Sequence, residues 1–183
     1  MSLGFALAML GAVIAVVASG IGSVIGISRA AAAANGLLTK EPKYFTKVLI
    51  LMLLMTSQGI YGLTVSFLML YNLGVVGGTI PAVTVEAGFT FLLLGLPVGV
   101  MGCVSAIMQG NVAVTAINLF GKQNKMFVQC ILIISATEVF ALFGFLISML
   151  GVLFLATPEL LEKTAEALPA AADALKSLLL MAN

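Results

Sequence analysis

Glu138 is a carboxylate in the middle of a long apolar run, IISATEVFALFGFLISML. Two other polar side chains stand in similar settings, Gln58 in LLMTSQGIYGL and Gln109 in AIMQGNVA. An ionised carboxylate at the centre of a bilayer costs at least about 2.5 kcal/mol. It must be protonated, paired with a cation or solvated in a cavity. Counting from the nearest basic residue gives the depth of each group. Gln58 lies 11 residues after Lys47, Gln109 lies 13 before Lys122, and Glu138 lies 13 after Lys125. At ~1.5 Å per residue, all three sit roughly 16–20 Å from one membrane face. Three segments thus bring a polar group to one level, and no Lys or Arg lies at that level. The counter-charge must come from outside: a proton, a metal ion or a basic residue on a partner. Amide oxygens suit a hard cation. A single carboxylate favours a monovalent ion over Ca²⁺, whose sites draw on more oxygens.

The segment around Gln58 adds oxygens in register. Leu54, Ser57, Gln58 and Tyr61 are spaced i, i+3, i+4 and i+7, so they share one face of a helix. Ser57 offers a hydroxyl and Gln58 an amide oxygen, and Tyr61 can donate a hydrogen bond to Glu138. A lone Gln in a membrane helix is more often interhelical glue than a ligand. The common depth is what makes Gln58 and Gln109 site candidates.

The elements that must position these residues are membrane spans. Of 183 residues, 62% are hydrophobic and only 15 are charged, with a mean hydropathy of +1.23. Such a chain takes the bilayer as its solvent. Apolar segments at 3–28, 48–71, 88–118 and 127–156 are each long enough to cross, and none alternates with period two, so four transmembrane helices are expected. Basic residues gather on the first and third connectors: Arg29, Lys40, Lys43 and Lys47 on one, Lys122 and Lys125 on the other. The positive-inside rule puts both connectors in the cytoplasm and both termini on the opposite side. MSLGFALAML lacks the basic start of a cleaved signal peptide and is read as the beginning of the first span. Histidine is absent, Cys103 and Cys130 sit in apolar runs, and the net charge of +1 leaves no footprint for nucleic acid.

The chain reads as two tandem hairpins in parallel orientation. At an offset of 80, Ser57 meets Thr137, Gln58 meets Glu138, and Phe67–Leu70 meets Ile147–Leu150. The first helices of the hairpins align at an offset near 82. Small residues form stripes on both: Gly11, Ala15, Ser19, Gly22 and Gly26 on one, Gly95, Gly99, Gly102, Ala106 and Gly110 on the other. Such stripes let backbones approach closely and fit a curved inner layer, with the bulkier second and fourth helices facing lipid. The expected organisation is a first hairpin at 1–72, a non-cytoplasmic connector at 73–86, a second hairpin with the carboxylate at 87–156, and an amphipathic extension at 157–183.

The hairpin repeat, TSQGIYG, the MQG of the third helix and the TE of the fourth together resemble the proteolipids of V-type rotary ATPases, in particular the four-helix proteolipids of bacterial sodium-pumping members. The resemblance covers about residues 1–156. It implies an all-α membrane protein whose copies assemble into a homo-oligomeric rotor ring, non-catalytic by itself. The ring turns against a stator subunit with an intramembrane Arg, beside a central-stalk subunit, in a bacterial plasma membrane rather than a vacuolar one. It implies Na⁺ held by the Leu54 carbonyl, Ser57, Gln58, Gln109 and Glu138, with Tyr61 closing the site. The family hydroxyl is usually Thr where this chain has Ser57, and Thr56 stands beside it as an alternative ligand. Sodium-type relatives often have Pro-Gly where this chain has Met55-Thr56. With Gln58 read as the counterpart of Glu138, four helices carry one ion.

Two other readings remain open on sequence. The same rotor can carry H⁺, which needs the carboxylate but none of the surrounding oxygens. A small four-helix channel or secondary transporter would be expected to break its helices at the site. In the extension, Leu161, Ala165, Leu168, Ala172, Leu175 and Leu179 form an apolar stripe divided by Pro169. This is expected to be an interfacial helix or a frayed tail, or else to pack around the outer mouth of the ring or fill part of its lumen.

Overall fold

A computed structural model describes residues 2–78 and 83–156. The extension at 157–183, and the readings made of it, lie outside the described residues. Six helices follow in order: α1 (Leu3–Leu38), α2 (Phe45–Leu53), α3 (Ser57–Asn72), α4 (Val85–Lys122), α5 (Phe127–Ser135) and α6 (Val139–Phe154). α2 and α3 join through a 3₁₀ turn at Leu54–Thr56 and form one apolar span, Pro42–Asn72. α5 and α6 are bent by 41° at a short break and together make the fourth span. The four expected crossings are therefore present, two of them unbroken and two interrupted.

The unbroken helices are longer than their apolar cores. α1 has 36 residues and α4 has 38, about 54 and 57 Å at ~1.5 Å per residue, against a hydrocarbon thickness of about 30 Å. Ser2 caps α1 through its hydroxyl, which accepts from Phe5 N–H, and Thr84 caps α4 by accepting from Ala87 N–H. α4 thus begins at Val85, inside the stretch read as connector.

α1 and α4 lie side by side and run the same way. A Cβ on Gly11 would fall on the Phe91 carbonyl, and one on Gly95 on the Gly11 carbonyl; further along, Gly26 and Gly110 abut in the same manner. Only glycine permits backbones this close, which is what the two small-residue stripes do. α3 packs on α1, α6 packs on α4, and α3 meets α6, giving two layers of paired helices. One apolar cluster joins Phe5, Ala12, Met69, Phe91 and Val152 near the start of α1. A second joins Ala34, Leu51, Ile117, Phe120 and Ile134 near the basic connectors. Buried Ser19, Ser23, Gln58, Ser105 and Gln109 lie along the same helices between them. Large apolar side chains such as Leu63, Phe67, Phe143 and Ile147 point outward, as lipid-facing surfaces require.

The repeat has one offset, and it is 82 throughout. Phe45–Leu53 corresponds to Phe127–Ser135, Ser57–Asn72 to Val139–Phe154, and the 3₁₀ turn Pro42–Tyr44 to Asn124–Met126. Arg29 Nη1 donates to Asn111 Oδ1 at 2.8 Å across that same offset. The offset of 80 read for the second and fourth helices is therefore corrected by two residues. It maximised polar matches, whereas the helix starts, Gly62 with Gly144, and Ser66 with Ser148 fix 82. The counterpart of Glu138 is then Thr56, and the counterpart of Gln58 is Phe140.

Candidate functional site

Both interruptions fall at the level of the polar residues. Hydroxyl side chains stand at each. Thr56 Oγ1 donates to Leu53 O at 2.7 Å and Ser57 Oγ to Leu54 O at 3.0 Å. Thr137 Oγ1 donates to Ile134 O at 2.8 Å. The backbone N–H groups of Thr137 and Glu138 reach back only three residues, to Ile134 and Ser135. At both breaks the hydroxyls bond carbonyls three residues back, in keeping with the tight 3₁₀ geometry, although Ser28 and Thr115 make the same bond in unbroken helix. Neither break contains Gly or Pro, so the usual signals of interruption are missing.

Glu138 consequently sits at the N-cap of α6. Tyr61 Oη donates to Glu138 Oε1 at 2.7 Å. The Tyr61 ring stacks on Phe145 with centroids 4.9 Å apart, so the phenol is held in place from α6 itself.

Beside this pair, Gln58 Nε2 donates to Gln109 Oε1 at 2.7 Å, and both side chains are fully buried. Gln109 Nε2 donates in turn to Ile134 O at 3.2 Å. Ser57 Oγ also lies 3.3 Å from Gln58 Oε1. The sequence candidates are thus brought together in two pairs, Gln58 with Gln109 and Tyr61 with Glu138, linked along α3 through Ser57 and the Leu54 carbonyl. Thr56 spends its hydroxyl on Leu53 and bonds to none of the other candidates.

Sequence reasoning passed over three residues that support the site. Ser105 Oγ donates to Thr137 O at 2.7 Å, tying α4 to the break before Glu138. Ser23 Oγ accepts from Gly59 N–H at 3.0 Å and fixes α3 one residue beyond Gln58. Thr137 stands at the break itself. The available signal was spacing: Ser105 stands one turn before Gln109, and Ser23 is its counterpart 82 residues earlier. Among the described residues the ion pair is Lys43 with Glu41, on the first connector, and none involves Glu138.

Comparison with known proteins agrees with this layout. A profile of the ATP synthase C-subunit family matches twice, at residues 10–69 and 92–151, again 82 residues apart. The chain is 37% identical over 150 residues to the K subunit of the V-type sodium ATPase of Enterococcus hirae, covering 82% of this chain and 92% of that one. It is 30% identical over 144 residues to the K subunit of the A-type ATP synthase of Methanocaldococcus jannaschii, covering 79% and 60%. It is 28% identical over 143 residues to the V-type proton ATPase proteolipid subunit of Dictyostelium discoideum, covering 77% and 70%. Broken helices at the site, expected of a transporter, therefore do not mark one here. This chain, with its two hairpin repeats, belongs to the ATP synthase C-subunit family as a V-type proteolipid, an ion-translocating subunit that is not catalytic by itself.

Proposed function

We propose that this proteolipid carries Na⁺ on Glu138 across the membrane, within a homo-oligomeric ring whose rotation is coupled to ATP turnover. Oxygens of Leu54, Ser57, Gln58 and Gln109 join the carboxylate as ligands, and the Tyr61 hydroxyl closes the site. The single observation that carries this reading is the arrangement of two buried amides and a hydroxyl beside the Tyr61–Glu138 pair. A proton can be carried by the carboxylate alone, whereas a sodium ion needs the further oxygens. The name of the Enterococcus hirae relative, a sodium ATPase subunit, points the same way.

With the ion bound, Glu138 is neutral and its copy faces lipid without penalty. Near a stator arginine the ion leaves, and the carboxylate pairs with the guanidinium for a time. An empty, charged site entering lipid is disfavoured by several kcal/mol, so only loaded copies move away and ion transfer follows rotation. The basic connectors face the cytoplasm and the stalk subunit, both termini face outward, and a bacterial plasma membrane is the setting.

Carbodiimide modification of Glu138 tests the ion. Millimolar Na⁺ at fixed pH is expected to protect the carboxylate. Modification that responds to pH and never to Na⁺ overturns the sodium reading in favour of H⁺, the ion named for several relatives.

A further inference from the structure

The two breaks interrupt the helical ladder at the same rung of the repeat. α3 begins at Ser57 and α6 at Val139, so their regular ladders start from the Thr56 and Glu138 carbonyls. The Glu138 carbonyl accepts from Leu142 N–H at 3.2 Å. The rung before would join Met55 O to Gly59 N–H in one hairpin and, 82 residues on, Thr137 O to Ala141 N–H in the other. A serine from the adjoining long helix takes one end of each rung. Ser23 of α1 accepts from Gly59 N–H at 3.0 Å, and its counterpart Ser105 of α4 donates to Thr137 O at 2.7 Å. Both serines are buried. The inverted polarity has a local reason. A Cβ on Gly59 would lie 3.3 Å from the Ser23 oxygen. Ala141 carries that Cβ, and Ser105 bonds the carbonyl instead. A hydroxyl between helices is not by itself the mark of a break: Ser148 accepts from Val98 N–H within continuous α4. What sets Ser23 and Ser105 apart is that both fall on the one interrupted rung.

We propose that Ser105 is a positioning residue for the ion-carrying carboxylate. Its hydroxyl replaces Ala141 N–H on the Thr137 carbonyl, keeps that rung open, and so holds Glu138 beneath the Tyr61 hydroxyl. In hydrocarbon a backbone carbonyl must find a donor, and a side chain inserted into the ladder bends a helix. Without the Ser105 hydroxyl, the nearest donor along the chain for Thr137 O is Ala141 N–H. Closing that rung straightens the 41° bend between α5 and α6. It carries the start of α6, and Glu138 with it, away from Tyr61 on α3.

The inference rests on Glu138 as the proposed ion carrier, whichever ion it carries. The test is carbodiimide modification of full-length chains in native membranes. In Na⁺-free medium at fixed pH, Ser105→Ala is expected to react faster at Glu138, because the reagent must reach an oxygen that Tyr61 covers. With Na⁺ added, the half-protecting concentration is expected to rise roughly threefold or more, up to the effect of losing the Tyr61 bond itself. Ser105→Thr keeps the hydroxyl and is expected to match the parent; the groove of about 370 Å³ beside Ser105 has room for its methyl. Ser105→Cys, a weak donor of similar size, is expected to fall between and serves if the alanine variant fails to insert. Ser148→Ala removes a hydroxyl bond between the same two helices, α4 and α6. It is expected to lower the melting temperature as Ser105→Ala does while leaving both carbodiimide readouts unchanged. Parent-like readouts in membrane-inserted Ser105→Ala or Ser105→Cys overturn the proposal. Equal shifts in Ser148→Ala also overturn it, because they would mark general loosening. If Na⁺ never protects the parent, the sodium reading fails, and the faster Na⁺-free reaction of Ser105→Ala still decides this one.

Discussion

Among the described residues the carboxylate takes part in one side-chain hydrogen bond, from Tyr61 to Glu138. A bond to a charged acceptor contributes about 1.5–3 kcal/mol. Tyr61→Phe removes it and leaves the ring that stacks on Phe145. The expected result is at least a tenfold rise in the Na⁺ concentration that half-protects Glu138 from carbodiimide, with a loss of thermal stability no larger than that one bond. Unchanged protection would remove Tyr61 from the site. The two glutamines behave differently because they satisfy each other in a buried setting. Gln58→Leu strands the Gln109 oxygen, and an unpartnered buried polar group costs about 1–3 kcal/mol. Gln109→Leu strands the Gln58 amide in the same way. The double variant removes both orphans, so its loss of thermal stability is expected to fall well below the sum of the two singles. Additive losses in a double-mutant cycle would mean that the pair is not formed.

The four spans were legible in the sequence because a run of twenty apolar residues has few other uses, and the common depth of Gln58, Gln109 and Glu138 was legible because helix rise is constant. What stayed hidden were the breaks at Leu54–Thr56 and after Ser135. Both breaks lack Gly and Pro and carry hydroxyls on carbonyls three residues back, but Ser28 and Thr115 make the same bonds in unbroken α1 and α4, so these residues do not announce a break. The close approach of α1 and α4 was visible as stripes, but which glycines touch was not. Gly110 meets the Cα of Gly26, and the Gly36 position has open space around it. Gly110→Val is therefore expected to separate the hairpins and lower the melting temperature in detergent, at a cost of at least about 1–3 kcal/mol from overpacking. Gly36→Ala is expected to be neutral or to stabilise by up to about 1 kcal/mol, since alanine is the better helix former. Equal effects from the two substitutions would contradict the packing of α1 on α4.

At the scale of the chain, the repeat explains why two hairpins hold one carboxylate. The sequence alone favoured matching Gln58 to Glu138, because polar residues are the most visible feature of an apolar run. Helix boundaries move the match to Thr56 and give Gln58 an aromatic counterpart, Phe140. A carboxylate at Thr56 would thus occupy the repeat position of Glu138 while lacking what surrounds Glu138. Its neighbours by repeat are Phe140 for Gln58, Val139 for Ser57 and Ile27 for Gln109, none of which offers a side-chain oxygen. Without those oxygens a proton is the remaining way to neutralise it. In a Thr56→Glu variant, both carboxylates are expected to react with carbodiimide. Mass spectrometry of the two peptides then provides an internal comparison: Na⁺ at fixed pH slows the reaction at Glu138, and raising the pH slows it at the introduced carboxylate, where Na⁺ has no effect. Sodium protection at both positions would show that the carboxylate alone recruits the ion and that Gln58 and Gln109 do not select it.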